Sequence, residues 1–191
     1  MKAGRRINRQ AMQVGAVAVL VALAMLAGVA AAQKRDNKEA RPSPNAAVSQ
    51  TIGTTEVAVT YGRPAVKGRN VWADLAPYGK VWRTGANECA TITFSRNVLV
   101  EGKPLAAGTY GLFTIPGKDE WTWIFSKNAT QWGAFSYKET DDALRVTVKP
   151  HMAHHAHERL TLSFEHLEKG AGTLALHWEK IAVPLKIQEA K

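Results

Sequence analysis

From Glu56 onward the chain alternates between apolar and polar positions. Val57, Val59 and Tyr61 fall on one side of an extended backbone, with Glu56, Ala58 and Thr60 on the other, and Ile92 and Phe94 interleave with Thr91, Thr93 and Ser95. The same period returns in Leu144-Val146-Val148, Leu160-Leu162-Phe164, Leu174-Leu176-Trp178 and Ile181-Val183-Leu185-Ile187. A period of two sends successive side chains to opposite faces, so each run predicts a strand with one buried and one wetted face. Glu101-Gly102, Pro116-Gly117 and Lys169-Gly170 punctuate the runs. Residues 110–115 and 121–125 flank the second of these turns and predict an antiparallel hairpin. About eight to ten short strands result, with no long amphipathic helix. The fold class is therefore all-β: an antiparallel β-sandwich or jelly roll, with a closed barrel as the alternative. No internal repeat or second domain interrupts residues 48–191.

The N-terminal region has another character. Lys2, Arg5, Arg6 and Arg9 precede an uncharged apolar run over 14–30, and Ala30-Ala31-Ala32 stands before Gln33. A basic head, an apolar middle and small residues at the end predict a secretory signal peptide over 1–32. The run falls short of the roughly 20 apolar residues of a spanning helix, so no stable membrane insertion is expected after cleavage. The expected location is periplasmic or secreted, by either the general secretory or the twin-arginine route. Residues 33–47 are charged or small, include Pro42 and Pro44, and read as a flexible linker.

Composition narrows the classes further. Cys89 is the single cysteine, so no intrachain disulfide can form and the domain depends on burial. The formal charge is +9, and removing the four basic residues of the leader leaves +5. That excess is too modest to predict a nucleic-acid partner.

Residues 62–90 (GRPAVKGRNVWADLAPYGKVWRTGANECA) fit neither period. A long irregular segment in a small domain is usually functional, disordered or misassigned. Val71, Trp72, Leu75, Tyr78, Val81 and Trp82 predict that it is an ordered loop packed on one end of the sheets, with a helical turn near 71–75. Arg63, Lys67, Arg69, Lys80, Arg83, Asn87 and Glu88 interleave with Tyr61, Trp72, Tyr78 and Trp82. Guanidinium forks hold carboxylate or phosphate, and aromatic walls stack on sugar rings, so the mixture suits an anionic or carbohydrate-like ligand. The same arginines can instead pair with Asp74, Glu88 and backbone carbonyls to hold the loop together.

The stretch TIGTTEVAVTYGRPAVKGRNVWADLAPYGKVWRTGANECATITFS, with LAAGTYGLFTIPGKDEWTWIF, QWGAFSYKETDDALRV and LHWEKIAVPLKI after it, resembles the bacterial family called domain of unknown function 2911. The resemblance spans roughly residues 49–187. It implies an exported bacterial β-sandwich protein and brings no established activity. The family's strings fall on Tyr61, Arg63, Pro64, Lys67, Gly68, Arg69, Trp82, Arg83, Gly85, Asn87 and Glu88. The resemblance does not call for a cysteine after the second string, which argues against Cys89 as an obligatory nucleophile.

Other constellations are weaker. His151, His154, His155 and His157, followed by Glu158, offer imidazoles at spacings that suit zinc, copper or nickel, with a solvated polar turn as the plain alternative. Trp121, Trp123 and Phe125 share a strand face and form either a sugar platform or core. No phosphate loop, zinc-protease motif or nucleophile elbow occurs, and nothing in the sequence calls for a cofactor.

The leading expectation is a binding module for a small anionic or carbohydrate-like ligand, held by Tyr61, Arg63, Lys67, Arg69, Trp82, Arg83, Asn87 and Glu88. One alternative is an enzyme in which Glu88 is the general acid or base and the arginines stabilise anionic charge. Another is a structural protein of the envelope. Oligomeric state is left open. Mass spectrometry of the exported chain is expected to find an N-terminus at Gln33 or within a few residues of it; a membrane-bound chain that retains residues 1–30 would overturn the leader assignment.

Overall fold

The structure, a computed structural model, describes Arg35 and residues 38–190. The leader assigned to residues 1–32 lies outside the described residues. Among the described residues there are ten strands, β1 (Asn45–Ile52), β2 (Thr55–Gly62), β3 (Ala90–Phe94), β4 (Val98–Val100), β5 (Lys103–Leu105), β6 (Gly108–Ile115), β7 (Trp121–Ser126), β8 (Asp142–Val148), β9 (His151–Glu168) and β10 (Ala171–Glu189). They form two antiparallel sheets, β1-β2-β3-β6-β7-β8 and β5-β4-β10-β9, packed face to face as a sandwich. β1 starts at Asn45, inside the stretch read from sequence as a linker, and pairs along its whole length with β2.

The alternation does what its period requires. Val57, Val59 and Tyr61 of β2, Ile92 and Phe94 of β3, Leu112 of β6 and Trp121, Trp123 and Phe125 of β7 face Val98, Val100, Leu160, Leu162, Leu174, Leu176, Trp178, Val183, Leu185 and Ile187 of the second sheet in one core. The three β7 aromatics are fully buried, so they are core and not a sugar platform. The predicted hairpin is β6–β7, with Phe113 opposite Ile124 and Ile115 opposite Thr122.

Two runs read as separate strands are one. Leu174-Leu176-Trp178 and Ile181-Val183-Leu185-Ile187 both belong to β10, although their apolar positions are out of phase. The phase change falls on Glu179, at φ 54°, where the register with β9 shifts on both sides. A bulge adds one residue, and that residue returns the next apolar set to the core.

The histidine stretch is also strand, not turn. His151, His154, His155 and His157 lie in β9, where neighbouring side chains such as those of His154 and His155 turn to opposite faces. The His157 ring stacks on His177 of β10 at 4.8 Å. Among the described residues, no group of three or more His, Cys, Asp or Glu is placed to hold a metal ion.

At one end of the sandwich, Trp82 stacks on Trp178 at 5.5 Å, and Trp72 meets Trp121 and Trp178 edge to face at 5.3 and 5.9 Å. The indole N–H groups of Trp121 and Trp178 are buried without an acceptor, so these two rings are held by packing alone. Trp178→Ala is expected to cost about 3–5 kcal/mol in urea denaturation, the usual loss for deleting a buried large aromatic.

Candidate functional site

The segment after β2 reaches across the sandwich. Pro64 O accepts the Leu160 amide at 3.0 Å and the Val66 amide donates to Glu158 O at 2.8 Å, so residues 64–66 run beside β9 of the other sheet. A single π-helical turn, Val71–Leu75, follows where a helical turn was expected. The chain then returns to the first sheet, where the Trp82 amide and carbonyl exchange hydrogen bonds with Thr114 at 2.7 and 2.8 Å. There it continues the line of β3 beside β6, because Ala90 pairs with Leu112 and the Ala90 amide donates to Arg83 O at 3.1 Å. Residues 84–89 are thus an excursion from an almost continuous strand.

The excursion is fixed by a close approach of two backbones. A Cβ on Gly62 would lie 2.4 Å from Ala86 O, and one on Gly85 would lie 2.9 Å from Gly62 O. Neither position has room for a side chain. Thr84 and Asn87 take left-handed φ values of 52° and 65°, which turn the chain out and back. Asn87 tolerates that conformation best of ordinary residues, and its Nδ2 donates to Ser43 O at 3.2 Å.

Most residues expected to meet a ligand are engaged in this framework. Tyr61 is buried, and its hydroxyl accepts the Leu162 amide at 3.0 Å. Arg63 donates from Nε to Leu160 O at 2.9 Å and from Nη2 to Thr161 Oγ1 at 2.8 Å, clamping the end of β2 to β9. Arg69 turns back on its own loop, donating to Ala65 O at 2.6 Å and Val66 O at 3.1 Å. Lys67 is exposed at φ 48°, and its amide donates to Glu158 Oε1 at 2.9 Å. Trp82 is in the core, with Nε1 donating to Gly85 O at 3.1 Å. Arg63, Arg69 and Arg83 therefore do not converge as a set.

Arg83 stands apart. Val81 packs against the outer face of the first sheet while Trp82 enters the core, so alternation returns Arg83 to the outer side. Its Nε is buried without a hydrogen-bond partner, and burial alone pushes its pKa down with no carboxylate acting on it. The pairings with Asp74 or Glu88 considered from sequence do not form. Asp74 instead accepts the Asn70 amide at 3.2 Å.

Glu88 is held by the N-terminal strap, which sequence gave as linker. Arg41 Nη1 donates to both carboxylate oxygens at 3.0 and 2.8 Å, and Arg35 Nη1 approaches Oε2 at 3.4 Å. Partial burial pushes the Glu88 carboxyl up, but the Arg41 hydrogen bonds, its backbone hydrogen bond and the two positive charges outweigh burial and hold it below its ordinary value. A carboxylate held ionised in this way is poorly suited to deliver or collect a proton near neutral pH. Cys89 is buried, and desolvation raises its thiol pKa, so it is not an activated nucleophile.

A second, smaller core escaped sequence reasoning. Cys89, Phe113 and Ile124 are buried on the outer face of the first sheet, with Val81, Ile115, Ala134 and Tyr137 packed against them. The loop between β7 and β8 forms the cover. Its Gln131 O accepts the Cys89 amide at 3.0 Å, and its Gly133 amide donates to Asn87 O at 3.1 Å. The loop is locked by Tyr137, whose hydroxyl donates to Asp142 Oδ2 at 2.6 Å beside Arg145, and whose pKa is pushed up to about 12 first by burial and then by Asp142. Trp132 and Phe135 on the same loop are 58% and 89% exposed, large ring faces left in water. The available signal was Phe113 and Ile124, apolar residues at positions that alternation assigns to the wet face.

These observations define an antiparallel β-sandwich domain with an interlocked loop crossing from one sheet to the other and an unpaired arginine on its outer side. The family model described as Protein of unknown function (DUF2911) matches residues 43–187, and the chain belongs to that family. No curated protein and no solved structure matches it.

The Glu88 carboxylate gives this corner a pH dependence of definite sign. Its folded pKa is depressed, so its stabilising contribution is present above the unfolded value near 4.5 and is lost as pH falls through the lower folded value. Urea midpoints from pH 7 to pH 2 are expected to fall more steeply for the wild type than for Glu88→Gln; parallel curves would contradict the ion pairs.

Proposed function

We propose that the domain is a binding module working outside the cytoplasm and that Arg83 anchors the carboxylate or phosphate of a small anionic or carbohydrate-like ligand. The observation that carries this reading is the Arg83 guanidinium, partly buried, with Nε unsatisfied and no countercharge among the described residues. Arginine cannot escape burial by losing its proton, and a buried donor left unmade costs about 1–3 kcal/mol, more when charged. An oxyanion forked on Arg83 would remove that cost. Trp132 and Phe135, on the loop that covers the same outer face, offer ring surfaces for the apolar side of a sugar or similar ligand. Export rests on the basic, apolar and small-residue order of residues 1–32.

The other residues of the segment act here as scaffold. Arg63 and Arg69 already have carbonyl acceptors, and Glu88 has its arginines. This division favours a binder over an enzyme that depends on Glu88.

Arg83→Met keeps the length of the stem and removes the charge. In anion-free buffer the variant is expected to melt at or above the wild-type temperature, since it relieves an unpaired charge. Phosphate, glucuronate or a sugar phosphate is expected to stabilise the wild type by about 1.4 kcal/mol at ten times its Kd, and to leave Arg83→Met unmoved. A loss of roughly 3–5 kcal/mol in Arg83→Met, with no anion shifting the wild type, would make Arg83 a structural residue and sink the proposal.

A further inference from the structure

The strap meets the domain at a place whose chemistry is opposite in sign to Arg83. Four acceptors gather around the Arg35 guanidinium: Cys89 O at 2.6 Å, Thr60 O and Glu88 O at 3.4 Å, and Glu88 Oε2 at 3.4 Å. The Arg35 side chain is 6% exposed, against 30% for Glu88. Three of the acceptors are backbone carbonyls fixed by the sandwich itself. Thr60 lies within β2. Glu88 and Cys89 are held by the bridge of Glu88 to Trp132 and by the Cys89 amide on Gln131 O.

The walls of this slot therefore belong to the domain, and the guest does not. Arg35 lies ten residues before the start of β1, outside the stretch that the family model matches. The Asn87 side chain and the Arg63 amide hold the strap further along, at Ser43 O and Pro44 O. Carbonyl oxygens arranged around one carboxylate suit a flat cation with several N–H groups at fixed angles. They suit a compact ammonium, with three donors on one atom, much less well.

We propose that this slot is a guanidinium-binding site, filled in cis by Arg35, which accepts the alkylguanidinium group of an incoming ligand when the strap is released. Exchange is physically reasonable because desolvation offsets much of the attraction in a buried Arg–Glu pair. Arg35 holds the slot through its high effective concentration as part of the same chain. The Asn87 and Glu88 positions of the WRTGANE string then have a chemical role: they shape a receptor for one planar cation and tie down the strap that occupies it. This inference does not depend on an anion at Arg83.

The test uses the full chain with the cis guests removed, R35A/R41A, titrated with methylguanidinium at concentrations far below denaturing ones. Saturable binding and a raised melting temperature are expected. Methylammonium should bind at least tenfold more weakly, and adding E88Q should weaken methylguanidinium by a similar factor. The wild type should not respond, since its slot is filled. Arg83→Met added to R35A/R41A should leave the response intact, which keeps this result separate from the anion reading. If R35A/R41A does not melt cooperatively, R35A alone serves, with rescue of its melting temperature by methylguanidinium as the readout. Failure of both variants to respond, or a wild-type response equal to theirs, overturns the proposal.

Discussion

Two backbones touch where Gly62 meets Gly85 and Ala86, and much of the molecule's irregular part follows from that contact. With no Cβ at either glycine, the end of β2 and the 84–89 excursion approach to a distance that any side chain would block. The excursion then needs two left-handed residues, Thr84 and Asn87, to leave and rejoin the strand line. Once it is folded, the Trp82 indole reaches Gly85 O and stacks on Trp178, joining the excursion to the core of the sandwich. Arg63, one residue beyond Gly62, clamps the same corner to β9 of the second sheet. The two sheets are thus joined here by hydrogen bonds as well as by buried side chains.

Positive charge in this region divides according to what surrounds it. Arg63 and Arg69 lie near backbone carbonyls left over by an irregular chain and satisfy them. Such hydrogen bonds from a charged donor to a neutral acceptor stabilise without needing an acid nearby. Arg35 and Arg41 both reach the Glu88 carboxylate. That leaves Arg83 without either kind of partner among the described residues, on the side of the first sheet where Val81, Phe113 and Ile124 pack together. An unpaired charge beside apolar packing and an acceptor-rich slot filled by a strap are different situations. The first has no countercharge among the described residues, and the second already holds a cation.

The histidines show why spacing alone is a poor guide to metal chemistry in a β protein. On a turn, residues 151–157 could have folded their rings toward one ion. Extended in β9, they are spread along the strand and across its two faces, and His157 stacks on a ring of the adjacent strand, His177. His177 in turn lies 2.8 Å from Glu165. The resulting cluster joins residues that are 8 to 20 positions apart in sequence.

Local pattern was enough to place β2, β3, β6, β7, β8 and the apolar runs of β9 and β10, the β6–β7 hairpin, the all-β class and much of the core, because alternation reports directly which face of a strand meets water, but it did not single out β1, β4 or β5. It failed where the period is interrupted. The bulge at Glu179 divided one strand into two apparent ones, and the burial of Phe113 and Ile124 on the outer face depends on Ala134 and Tyr137 of a loop that no local pattern brings there. In the candidate site, sequence singled out residues 62–90 and the family resemblance the strings within them, yet neither could tell which of Arg63, Arg69, Trp82, Arg83 and Glu88 the fold already engages. Separating them required tertiary structure, since a hydrogen-bond partner is a matter of position in space. Leu160 O lies 97 residues from Arg63 along the chain, and Arg41 lies 47 residues from Glu88. Residue type determines which groups carry charge and which can bend the backbone; only the folded chain decides which of the described charges find partners and which do not.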